Sequence, residues 1–302
     1  MSKTKYKKFI IGKDSKGKII EFTCDQTKLA NNFGANSDAS HFLTHVFFKK
    51  EVLDKYYNKP SDYSINDGYL VYTNEEGVNI WGIPIDNNAQ ENIMVYLGDL
   101  EKIPYEEQEY WRLYNIESGE SSLTSYNRDF RAEFCSPEEP VLYFKQKLKT
   151  FNKNWKNKFG WELFRPLNSG DEHHLKSLKI PSKEQKEFDE KVLSITKIII
   201  DSLNEPKLKE SLTYSKGDKS IEILSKYLEQ KHKFKSPEMI QYFRNLQELR
   251  SKCSAHRKGS DFQETYKKFD KGDFSKTFKE IVIGAITLLN TLESNILKEM
   301  KK

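Results

Sequence analysis

The sequence predicts an α+β N-terminal domain with an antiparallel sheet, followed by an all-α four-helix-bundle C-terminal domain. Three observations predict it. Short β-rich runs separated by turn residues fall before Asp99, apolar residues at helical spacing dominate after it, and from Pro181 onward strand signals stop. A chain of 302 residues is long enough for two domains, each with a core of its own. The expected division lies near Ile180, in LKIPSK, giving residues 1–179 and 180–302.

Taken in order, KFIIG and KIIEFT flank Asp14, Ser15 and Gly17, a hairpin pattern. HFLTHVFFKKEVLDKYY repeats apolar residues at Phe42, Val46, Phe47, Leu53 and Tyr56, which predicts a helix. GYLVYT, VNIWGIPI and NIMVYLG, separated by Asn, Gly and Asp, predict an antiparallel meander within one sheet packed by helices. Pro104 and Pro140 each suit the first turn of a helix, YEEQEYWRLYN and VLYFKQKLKTFNKNWKNKF respectively, and Gly160 ends the second. Along that second helix Phe144, Leu148, Phe151, Trp155 and Phe159 form one apolar stripe, read as core. The segment Val95–Ile116, with its Gly-Asp turn and clustered aromatics, reads as a packed corner of the N-terminal core.

The C-terminal bundle has four amphipathic members. Ser182 and Gln185 make a capping-box pattern ahead of a face formed by Phe188, Val192, Ile195, Ile199 and Leu203, which Asn204 and Pro206 close. Ile221, Leu224 and Leu228 carry the second helix. The third starts at Ser236-Pro237 and runs to about Gly259, with Ile240, Phe243, Leu246 and Cys253 as its buried stripe, and the fourth spans Lys276 to Lys298. The apolar run from Ile281 is interrupted by Thr287, Asn290 and Thr291, falls short of a membrane span and reads as a buried helix, so no membrane partner is expected.

Charge singles out the third helix. The chain has 50 basic and 45 acidic residues, a net +5, yet Lys231 to Lys258 alone holds eight basic residues against Glu238 and Glu248, an excess of six. Such runs usually solvate an outer face, but this one surrounds His256, and local positive potential suits a polyphosphate ligand. Arg250 and His256, six positions apart, lie about 120° apart around an ideal helix, so they meet only through the length of the arginine and the fraying of the helix end. A histidine that titrates near neutrality can take a proton from a ribose 2′-hydroxyl or give one to a departing 5′-oxygen, while an arginine fork holds the phosphate. The structural alternative is that His256 caps its own helix and Arg250 bridges to Glu248 or a neighbouring helix.

RSKCSAH, Arg250 to His256, near the end of the third helix of a bundle, resembles the R-x4-6-H motif of the HEPN superfamily (higher eukaryotes and prokaryotes nucleotide-binding). The resemblance covers Pro181 to Lys302. It implies a metal-independent endoribonuclease, a hydrolase of toxin or anti-phage (antiviral) defence type, with Arg250 and His256 catalytic. The residue after the arginine in that family is usually Asn, Asp or His; here Ser251, a poorer substitute, stands as the auxiliary polar contact. Arg244, Lys252, Arg257 and Lys258 are the expected RNA-binding residues, acting on backbone phosphates. The resemblance also implies a homodimer with third helices facing across a shared cleft, RNA as substrate, and a regulatory protein or phage-derived trigger. The N-terminal half is similar, through Val95–Ile116, only to uncharacterised bacterial proteins; the role implied for it is to sense a trigger, recruit substrate or restrain the nuclease. The competing expectation is a non-catalytic helical module that binds RNA or a nucleotide, or scaffolds a protein.

Other chemistries lack their signatures. Cys24, Cys135 and Cys253 are odd in number and far apart, which disfavours a disulfide framework or thiolate metal site and predicts a reduced, cytoplasmic setting; the basic N-terminus lacks a signal-peptide core. Cys253 is expected to be a small core or interface residue rather than a nucleophile. DEHHL, Asp171 to Leu175, has adjacent histidines without ligand spacing and reads as an exposed polar loop, so no metal and no cofactor is expected. P-loop, dinucleotide-binding and G-x-S-x-G patterns do not occur.

Overall fold

The computed structural model describes residues 5–181, 184–210, 212–253, 260–269 and 271–297. They form an antiparallel α+β unit and a helical unit, the first ending at Leu142 and the second beginning at Tyr143. The division therefore falls in the first turn of the helix Pro140–Phe159 rather than near Ile180. Packing explains it, because this helix buries its stripe among the other helices. Trp155 meets Tyr227 at 6.5 Å with the rings tilted, Lys147 and Asn154 reach Glu293 at 2.5 and 3.3 Å, and Asn152 exchanges hydrogen bonds with the Phe164 backbone.

In the first unit, β1 (Lys8–Lys13) and β2 (Ile19–Thr23) form the expected hairpin, with Asp14 accepting from the Lys16 and Lys18 amides and Gly17 at φ +80°. The helix expected from Phe42 to Tyr56 is not formed. His45–Lys49 is a strand, β3, and only a 3₁₀ turn and the short α1 (Asp54–Tyr57) follow it. Val46, Phe47 and Phe48 favour the pleated surface, and β3 is the middle strand of its sheet, so its backbone is paired on both edges. β4 (Tyr63–Asn66), β5 (Tyr69–Thr73) and β6 (Asn79–Pro84) make the meander. β7 (Asn92–Tyr96) leaves it to pair with β3, whose other edge takes β8 (Asn115–Ile116), so three small antiparallel sheets replace the single one expected.

One core joins them: Phe9, Val46, Phe48, Leu70, Ile83 and, from α2 (Tyr105–Leu113), Trp111 are fully buried. Val95, Leu97, Leu100 and Ile103 belong to the same core, as expected for that corner. α3 (Leu123–Arg131), which the sequence reading missed, is capped by Ser122, itself held by the buried Asp86 carboxylate at 2.6 and 2.7 Å. Burial pushes the Cys24 thiol up to about 12.

The second unit holds most of α4 (Pro140–Phe159), then α5 (Glu172–Lys176), α6 (Gln185–Thr196) with a wider π-helical turn over Lys197–Asp201, α7 (Glu205–Lys209), α8 (Ser220–His232), α9 (Pro237–Cys253), α10 (Ser260–Lys267) and α11 (Phe274–Leu292). The four bundle helices expected are α6, α8, α9 and α11, with α6 packed on α9 and α11 and α8 on α9. Phe188, Val192, Ile195 and Ile199 of the first are fully buried. The Ser182–Gln185 cap falls on residue 182, outside the described residues, as does the stretch of the third helix beyond Cys253. Phe274–Leu297 is the one helix among the described residues long and apolar enough to cross a membrane by length and composition. Within this unit its Phe278, Ile281, Val282, Ala285, Leu289 and Leu292 are buried among the other helices.

Candidate functional site

α9 positions the candidate residues through its buried stripe. Phe243, Leu246 and Leu249 are fully buried and Cys253 nearly so, which anchors the helix against α6 and fixes the direction in which its polar residues point. Arg250, in the last turn, is half-buried. Its Nη1 donates to both carboxylate oxygens of Asp201, at 2.9 and 2.8 Å. Asp201 is the last residue of the π-helical turn that ends α6.

From Asp201 a row of alternating charge leads away from α9. Lys197 lies 3.9 Å from Asp201 and 3.5 Å from Asp171, and Asp171 lies 3.7 Å from His174 Nε2. His174 Nδ1 is 3.0 Å from the Ser194 hydroxyl, which donates to the Glu190 carbonyl at 2.8 Å. With its one proton spent on that carbonyl, the hydroxyl accepts from His174, so the ring carries its proton on Nδ1. DEHHL is therefore not an exposed loop. It forms α5, and His174 is buried against α6, because the helical turn swings one of the adjacent histidines inward while His173 stays outside.

Burial, reinforced by the neighbouring His173, lowers the His174 pKa against the smaller opposing pull of Asp171. The unfolded chain thus takes up this proton first, and stability is lost as pH falls from about 6.5 toward the lower folded-state value. His174→Gln is expected to flatten the decline in urea midpoint between about pH 7.5 and about pH 5.5. A smaller slope should remain from His45 in the first unit, also lowered by burial. An unchanged slope in the variant would count against this assignment.

Arg244 Nη2 donates to Glu222 of α8 at 3.2 Å. Ser251 is exposed and Lys252 half-buried on the last turn of α9. His256, Arg257 and Lys258 lie outside the described residues. Elsewhere on the basic segment Lys235 pairs with Glu229 at 2.7 Å, and Glu248 takes Lys268 at 2.7 Å and the Thr265 hydroxyl at 3.0 Å. Part of the linear charge excess is thus met by carboxylates of α8 and of the α6 turn. No group of three or more His, Cys, Asp or Glu side chains placed to hold a metal ion occurs among the described residues.

What this arrangement offers chemically is an oriented guanidinium in the last described turn of a bundle helix, with Lys252 on the same turn and Lys197 beside its carboxylate partner. Sequence reasoning missed Asp201, Lys197 and His174; only the run of Ile198, Ile199 and Ile200, too apolar for one helical stripe, hinted that the helix changes character there. Set against known proteins, the chain matches no family model, no curated protein and no solved structure.

Proposed function

We propose that the protein is a metal-independent endoribonuclease acting through Arg250 and His256, with the N-terminal α+β unit sensing a trigger, recruiting RNA or restraining the nuclease. The observation that carries the reading is the position of Arg250: last turn of the third bundle helix, half-buried, its guanidinium held in one orientation by Asp201. An arginine so held suits a phosphate that has to be fixed for in-line attack by a neighbouring 2′-hydroxyl. The toxin or phage-defence setting rests on the HEPN resemblance alone. So does the homodimer, in which two copies of Arg250 and His256 share a cleft. Light scattering at micromolar concentration is expected to give twice the chain mass; a monomer that stays one when RNA is added would contradict the composite site.

A second reading has an observation of its own. The row Arg250, Asp201, Lys197, Asp171 alternates in charge and sums to zero with His174 neutral, as in a structural staple between α9, α6 and α5. On that reading the module binds RNA, a nucleotide or a protein without cutting. Incubating the purified protein with mixed RNAs in EDTA, beside His256→Ala, separates the two: cleavage by the wild type alone supports the nuclease, and intact RNA in both supports the staple.

A further inference from the structure

Asp201 reaches α9 because of a local irregularity in its own helix. Ile198, Ile199 and Ile200 are all buried, at 2, 0 and 1% exposure. At 100° per residue, three consecutive side chains of an α-helix spread over about 200°, wider than the apolar face of a surface helix. Widening to a π-helical turn over Lys197–Asp201 absorbs them. The turn then delivers Asp201, exposed, to the last turn of α9. Such turns often occur at functional sites, although this unit holds a second one at Glu293–Leu297 after α11, so it is the delivery of Asp201 to Arg250 that carries the argument.

The contact itself is selective. Both Asp201 oxygens converge on Nη1, rather than each taking a separate nitrogen as in a fork-to-fork pair. The Nη2 and Nε edge of Arg250 has no carboxylate partner among the described residues. Two parallel N–H donors along that edge match the two non-bridging oxygens of a phosphodiester. Lys197, on the same helix, lies 3.9 Å from Asp201 and 3.5 Å from Asp171, so a second cation sits beside the carboxylate that holds Arg250.

Resting on the endoribonuclease reading, we infer that Asp201 is a positioning residue for Arg250, presenting its Nη2–Nε edge to the scissile phosphate. Its effect falls on orientation more than on affinity. The carboxylate cancels the arginine's charge at long range, while it removes rotamer freedom that the phosphate would otherwise have to freeze.

The test uses the full-length protein and its Asp201→Asn, Asp201→Ala and Asp201→Glu variants. Expected for Asp201→Asn is a kcat on RNA lowered by about 10- to 10²-fold, the scale of a misplaced reacting group. KM should stay level or fall, and Asp201→Glu should recover part of the rate. Guanidinium ¹⁵N spectra of arginine-labelled protein without RNA, with the Arg250 signal assigned by Arg250→Lys, supply a readout independent of activity. Rotation about the Arg250 guanidinium bonds should be restricted in the wild type and released in Asp201→Ala, with thermal midpoints confirming that the variants fold. Free rotation in the wild type, or wild-type cleavage with kcat unchanged in Asp201→Asn, overturns the inference alone. No cleavage by the wild type overturns the enzymatic reading beneath it.

Discussion

His256→Ala is expected to slow RNA cleavage by about 10²–10⁴-fold, the usual share of acid/base catalysis, while RNA binding stays nearly intact. Attack by a 2′-hydroxyl on the adjacent phosphate needs a base to take its proton and an acid to protonate the leaving 5′-oxygen, both within the range of an imidazole near neutrality. On the proposed mechanism Arg250 is the group that offsets the charge building on the phosphate and fixes it in line, with Ser251 as a second contact. The products are then a 2′,3′-cyclic phosphate and a 5′-hydroxyl, formed equally well in EDTA. DNA, and RNA methylated on the 2′-oxygen at the cut, should resist because the internal nucleophile is missing. Replacing Lys252, Arg257 or Lys258 should act differently, weakening binding and flattening its salt dependence. Full activity in His256→Ala, 5′-phosphate ends, or cleavage of the methylated substrate would each remove this mechanism.

The helical half of the fold was legible because its signals are local. Pro140 and Pro237 sit where α4 and α9 begin, and the stripes Phe144–Trp155 and Phe188–Ile199 recur every three or four residues and are buried as that spacing requires. The sheet half was less legible, since the spacing from Phe42 to Tyr56 fits a helix as well as a strand followed by a short turn. Only pairing of β3 with β7 and β8, from residues more than 40 positions on, decides between them. At the candidate site the same limit applies. Arg250 was found by its local motif, but its partner Asp201 lies 49 positions earlier, and Glu222, the partner of Arg244, lies 22 earlier. A count of charge along α9 cannot include carboxylates that other helices bring to it.

In the first unit the largest effect is expected from Trp111→Ala, at about 3–5 kcal/mol of stability, the range for deleting a large buried aromatic. Trp111 is fully buried and meets Phe48 of β3 edge to face at 4.8 Å, so its removal opens a cavity where α2 leans on the middle strand of the β7-β3-β8 sheet. A polar chain fails with it. The indole Nε1 donates to the Tyr56 hydroxyl at 2.7 Å, which donates to Glu107 at 2.6 Å, and Glu107 also takes Lys55 at 2.5 Å. Without the indole, the buried hydroxyl loses its donor and keeps only its acceptor. Trp111→Phe separates the two losses: it keeps much of the packing, so its smaller cost of about 1–3 kcal/mol reports mainly the unmade hydrogen bond. Hydrogen exchange read on peptides covering His45–Lys49 and Tyr105–Leu113 measures both locally. Protection should fall furthest in Trp111→Ala and partway in Trp111→Phe, and equal protection in all three proteins would show that this corner does not hold the unit together.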